Sequence, residues 1–138
     1  RIVCEYDGRG RKTSEKLYTH PGGPDSVTRY TYGPSGSPEL VTEEQYLAPD
    51  SVLLIRRTDR FDASGNLLRS EEETFAPGGA AGQSSTTTYE YEFDTFGNWK
   101  RQTAFFSTGG QEPKVAQVIR RTISYHNQGG GLEIYNLP

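Results

Sequence analysis

Cysteine is nearly absent from this chain, and the single Cys4 excludes both an internal disulfide and a cysteine-built metal cluster. Its neighbours are typical of a strand, so it reads as a packed or incidental thiol and not as a nucleophile. Histidine is almost as scarce. His20 lies in a Pro-Gly loop and His126 in a turn, and neither has triad or ligand spacing around it. Hydrophobic residues supply only 32% of 138 residues, against roughly 45–50% apolar in ordinary domains, a reference that counts Gly where this figure counts Tyr. No run of 18 apolar residues occurs, so no membrane-spanning helix is expected. Net charge is −3 with Arg and Glu interspersed, which leaves no basic stripe and no expected nucleic-acid partner. Sustained apolar spacing of three and four is also missing, so helices are not expected.

What the chain does have is Gly, Ser, Thr and Tyr, and a rhythm. An aromatic residue is followed four positions later by Gly at Tyr6, Tyr32, Phe61, Phe93 and Tyr125. The glycines of these copies stand 26, 29, 32 and 32 residues apart, the spacing of a repeat. With 16 aromatics and 16 glycines in the chain, chance predicts about two such pairs, and nine occur. The other four begin at Tyr18, Phe75, Phe105 and Phe106, where an alternating chain would turn back.

The clearest unit runs from Tyr89 to Thr103. Tyr89, Tyr91 and Phe93 alternate with Glu90 and Glu92, the period of a half-buried strand. Asp94 accepts from turn amides, and Gly97 supplies the positive φ of a type I turn with a G1 bulge. That turn predicts Asp94 opposite Asn98, Phe93 opposite Trp99 and Glu92 opposite Lys100. The same rule at Gly65 predicts the charge pairs Asp59–Arg69, Arg57–Glu71 and Arg56–Glu72. The expected fold is all-β, an antiparallel meander of repeated hairpins curved into an open barrel or sandwich-like sheet, as one domain over residues 1–138. Ten strands are expected near 2–6, 11–18, 27–32, 39–46, 52–61, 67–75, 86–94, 99–106, 115–125 and 132–137. Opening at Arg1, just before its first turn, the chain is expected to be a mature form or fragment of a longer protein.

The first copy, Tyr6-Asp7-Gly8-Arg9-Gly10-Arg11, resembles the core of the tyrosine-aspartate (YD) repeat of Rhs-type proteins. Phe61-Asp62-Ala63-Ser64-Gly65-Asn66 and Phe93-Asp94-Thr95-Phe96-Gly97-Asn98 resemble its Gly-Asn variant, whereas Gly33 and His126 replace the Asp in the second and fifth copies. The resemblance implies hairpins of an exported protein, extracellular, periplasmic or at the cell surface. Larger relatives coil such strands into toxin-enclosing shells or form surface spacers and adhesion modules. Five units are too few for a closed shell.

Candidate chemistry is thin. The runs Glu43–Glu44 and Glu71–Glu73 would suit glycoside hydrolysis only across a cleft, and a charged strand face is the simpler account. Asp7, Asp62 and Asp94 lack the alternating acidic positions of a calcium loop. The Gly-Gly pairs carry no following Lys-Ser/Thr, so they form no phosphate cradle. No enzyme activity, metal or cofactor is therefore expected. Tyr89, Tyr91 and Trp99, with Phe93, are the candidate binding residues, expected on one sheet face. There they either pack as core or form a platform for sugars or a protein partner. The expected function is non-catalytic structural or recognition work, with carbohydrate binding as the alternative and a catalytic site converging from distant strands as a third. Partners are neighbouring repeats or a protein, glycans in the alternative, or another copy through the sheet edges.

Overall fold

A computed structural model describes residues 1–34, 39–48, 51–76, 78–125 and 134–135. Nine strands form one antiparallel sheet in chain order. They are β1 (Ile2–Tyr6), β2 (Lys12–Leu17), β3 (Ser26–Tyr32), β4 (Glu39–Leu47), β5 (Val52–Phe61), β6 (Leu67–Phe75), β7 (Ala81–Phe93), β8 (Trp99–Thr108) and β9 (Lys114–Arg120). Two short strands, β10 (Thr122–Ile123) and β11 (Ile134–Tyr135), pair separately. The sheet is an all-β meander that does not close, with β1 and β9 as its edges.

Three of the five turn copies are built alike. In each, the Asp amide donates to the carbonyl four residues on (Arg11, Asn66, Asn98) at 2.9 Å, and the Gly amide donates back to the Asp carbonyl at 3.0–3.2 Å. The Asp Oδ1 accepts two further amides, from Arg9 and Arg11, Ser64 and Asn66, or Phe96 and Asn98, at 2.8–3.0 Å. One carboxylate thus satisfies amides that a tight turn otherwise leaves to water. Gly36 and Gly129 of the other two copies lie outside the described residues. At the opposite end of the sheet, the copy at Phe75 makes the same backbone turn without an Asp: Ala76 donates to Ala80 and Gly79 to Ala76, each at 2.9 Å. This tight turn starts β7 at Ala81, five residues before the expected 86. The expected ninth strand breaks at Arg121, because Thr122 and Ile123 pair with β11 instead of β8. Of the expected tenth, only 134–135 is described.

The turn registers hold for one pair and then shift. Phe61 faces Leu67, Phe93 faces Trp99 and Tyr6 faces Lys12, as the turn rule requires. A β-bulge follows at once in all three hairpins, leaving Thr13, Leu68 and Lys100 without a direct partner. The expected Glu92–Lys100 pair is therefore corrected to Glu92–Arg101, whose side chains meet at 2.8 Å. Arg57 moves from Glu71 to Glu72 at 2.7 Å, and Arg56 from Glu72 to Glu73 at 3.6 Å. Asp59 moves from Arg69 to Ser70, and Arg69 now faces Arg60. Opposite charges survive the slip because β6 carries three consecutive glutamates. Exposed pairs of this kind contribute about 0–1 kcal/mol each, too little to choose a register against turn and bulge.

Directly opposed residues point to the same side of a sheet, so the ladder assigns the faces. Tyr32, Phe61, Tyr89, Tyr91, Trp99 and Phe106 share one face. Arg56, Arg69, Glu71, Glu73, Thr86 and Thr88 share the other. Neither face is covered by another sheet or helix among the described residues. Among the described residues only Ala104, Ser14 and Thr103 are buried, at 5%, 8% and 9% exposure. Among the described residues this single layer, with most of its rings on one side and a glutamate–arginine ladder on the other, encloses no large ring.

Candidate functional site

The aromatic face collects the residues that the alternation pattern marked. Tyr91 lies 6.0 Å from Phe93 and 6.2 Å, edge-on, from Trp99 between ring centroids. The Tyr91 hydroxyl donates to the Leu67 carbonyl at 3.0 Å and accepts from Gln102 Nε2 at 2.7 Å. These bonds anchor the ring by its polar end and leave its apolar edge to its neighbours. Tyr32 is held in the same way, its hydroxyl donating to the Lys12 carbonyl at 2.8 Å. Trp99 is half-buried, and the Arg121 guanidinium covers its ring at 3.8 Å. Phe93 remains 44% exposed. The cluster is thus intermediate between the two expected placements: too open for a core, and at Trp99 already capped by the chain's own cation.

Tyr89 belongs to a different neighbourhood. It borders a shallow trough of about 360 Å³ whose lining includes Arg57, Asp59, Ser70, Thr87 and Phe106. Burial raises the Tyr89 hydroxyl above its ordinary pKa, and the Asp59 carboxylate adds to the shift. Oδ1 of Asp59 is shut off from solvent and receives no hydrogen bond from the described residues. The bulge at Leu68 explains this, since it moves Arg69 away and leaves Asp59 facing Ser70.

The remaining candidates are occupied locally. Asp7, Asp62 and Asp94 spend Oδ1 on turn amides, and their second oxygens accept from Arg11, Asn66 and Tyr125 respectively. Each is held below the usual carboxylate pKa. The leading causes are the Arg11 backbone amide, the Asn66 side-chain amide and the Tyr125 hydroxyl. Tyr125 also lies against Phe96 at 4.5 Å, so the fifth aromatic of the rhythm docks on the fourth turn. Glu44 pairs with Arg56 at 2.8 Å, on the charged face with Glu71 and Glu73, whereas Glu72 is on the aromatic face. His20 Nδ1 lies 2.8 Å from Asp25 Oδ1 in an exposed loop, and Cys4 Sγ is 3.9 Å from Glu15 Oε2. No group of three or more potential metal ligands converges among the described residues, and no helix is long and apolar enough to cross a membrane.

Comparison with protein-family models, with curated proteins and with solved structures finds no match for this chain. Of the three candidate binding residues, Tyr91 and Trp99 are in contact, whereas Tyr89 faces the trough. Sequence reasoning did not single out Asp59 or Arg121. Asp59 was assigned to Arg69 by a register without the bulge, and Arg121 reaches Trp99 only across the β8–β9 ladder. The one available signal was the surplus of glutamates opposite Arg56 and Arg57.

Proposed function

We propose that this chain is a non-catalytic structural and recognition module of YD-repeat type, in an exported or cell-surface protein, that acts by sheet extension and surface contact. One observation carries the reading. Hairpins of the same Asp-x-x-Gly chemistry recur three times in a nine-stranded sheet that has β1 and β9 as its edges and, among the described residues, buries only three side chains. Such a layer presents unpaired backbone groups along β1 and β9, and those groups take a strand from a neighbouring repeat, a protein partner or another copy. Val115 and Val118 stand out from β9 at 60% and 42% exposure, without a charged guard between them. Sedimentation across a wide concentration range tests this. Self-association that Val118→Lys abolishes is the expected result, and a strict monomer that also fails to capture an added hairpin of the same repeat would refute it.

The second reading, glycan binding, is favoured by the half-exposed rings of Tyr91, Phe93 and Trp99. It requires a sugar to stack on Phe93 or to displace Arg121 from Trp99. A glycan screen that responds to Tyr91→Ala and Trp99→Ala would promote it over the first.

A further inference from the structure

Rings on the aromatic face are covered by the chain's own cations. Arg11 lies over Tyr32 at 4.3 Å, Lys12 over Tyr30 at 4.6 Å and Arg121 over Trp99 at 3.8 Å. The negative face of an aromatic ring attracts a cation, and a flat guanidinium also gains stacking contact. Tyr89 and Phe106, the two rings beside the trough, carry no such cation among the described residues. Lys114 stands opposite Phe106 on the edge strand but is not stacked on it.

The same trough holds a carboxylate, Asp59, with no close ion pair of its own among the described residues. Glu72 takes the Arg57 guanidinium at 2.7 Å. Glu43 faces Arg57 from β4, and Asp59 stands two residues along β5 on the same face. Three carboxylates around one guanidinium leave a negative balance, and Asp59 bears the largest unmet demand because its Oδ1 has neither donor nor water access. A carboxylate shares its charge over both oxygens, so a cation held in the trough that Asp59 lines relieves the whole group. A volume of about 360 Å³ lies within the roughly 300–1,000 Å³ of small-ligand sites, ample for one long side chain. The hydroxyls of Ser70 and Thr87, both in its lining, offer further acceptors to an ammonium.

We propose that the trough between Asp59, Tyr89 and Phe106 receives a basic side chain, lysine or arginine, presented by a protein that covers the aromatic face. The occupant is an organic cation, because aromatic walls with an unneutralised carboxylate match an ammonium or guanidinium better than a neutral polyol. A protein is the source because the surrounding face is broad, half-exposed and ring-rich, the kind of surface a protein partner covers. This deepens the recognition-module reading and rests on it. Its test is independent of edge pairing, so either can fail alone.

The experiment is a titration of the isotope-labelled full chain, followed by amide shifts, with the blocked tripeptide Gly-Lys-Gly, its ε-acetylated form and glucosamine. Gly-Lys-Gly should move the amides of Asp59, Ser70 and Thr87 saturably, and acetylation should abolish the response. Asp59→Asn should weaken binding about tenfold. Tyr89→Leu, which keeps an apolar side chain on the strand, should weaken it roughly two- to fivefold. Equal responses to the lysine and acetyl-lysine peptides overturn the proposal, as does undiminished binding in Asp59→Asn. If that variant does not fold, the acetylation pair on the unaltered chain and Tyr89→Leu still decide. Binding of glucosamine in place of the peptide overturns the protein source, and no shift with any probe overturns the site.

Discussion

Replacing Gly97 with Val tests the hairpin logic on which the whole sheet depends. Gly97 has φ of 82°, and its amide donates to the Asp94 carbonyl at 3.2 Å to close the turn. A Cβ built there meets nothing within 4 Å, so the backbone conformation is the main cost of a side chain at this position. Holding an ordinary residue in the left-handed region costs roughly 1–2 kcal/mol, with β-branched residues toward the upper end. The stiffer unfolded chain returns about 0.4–1 kcal/mol. A net loss of about 1 kcal/mol is expected. Gly8 is the internal control, since it has equally open space but no positive φ, and Gly8→Ala should be neutral or slightly stabilising. Urea unfolding read by the fluorescence of Trp99, the only tryptophan and the first residue of β8, measures both variants. The midpoint should fall for Gly97→Val at unchanged slope. An unchanged midpoint, or a loss in Gly8→Ala as large as that in Gly97→Val, would refute the assignment of the turn.

Two further outcomes follow from the same geometry. The carboxyls of Asp7, Asp62 and Asp94 have folded pKa values below their unfolded ones, so they stabilise the fold above the ordinary Asp value of about 3.9. That contribution should disappear as pH falls through the depressed values. Urea midpoints should therefore decline below about pH 4, less steeply in Asp62→Asn, and a flat profile in this range would remove the turn carboxylates from the account. Arg121→Ala should uncover Trp99, shifting its emission to the red and opening it to iodide, at a stability cost of about 0.5–1 kcal/mol. Unaltered emission and quenching would show that the stack does not persist in solution.

Most of the fold was legible because its information is local. Asp94-Thr-Phe-Gly97-Asn98 specifies a turn within five residues, and Tyr89, Tyr91 and Phe93 specify a strand by alternation. These signals do not extend past the first pair beyond the turn. Nothing in Gly-Asn-Leu-Leu-Arg69 or Gly-Asn-Trp-Lys-Arg101 announces that Leu68 and Lys100 will be left unpaired, because a bulge is settled by the twist and contacts of both strands together. That single slip is why the expected Arg57–Glu71 pair gave way to Arg57–Glu72 and why Asp59 lost its arginine. The candidate site was accordingly half legible. The rings of Tyr89, Tyr91 and Trp99 were visible as a pattern, while the ionic setting of the trough was not.

The class of structure is written in local chemistry: an all-β chain of repeated hairpins in chain order, with turns at Asp7, Asp62 and Asp94. Glycine at positive φ, an aspartate that binds the turn amides and period-two alternation act over a few residues and need no distant partner. Long-range packing sets the rest: the sheet is a single layer that does not close, several of its rings lie under Arg11, Lys12 and Arg121, and Asp59 stands near Tyr89 with one oxygen unpartnered among the described residues. Those outcomes depend on which residues from β4 through β9 fall on one face. That is set by the cumulative register of successive ladders, and one bulged residue is enough to change it.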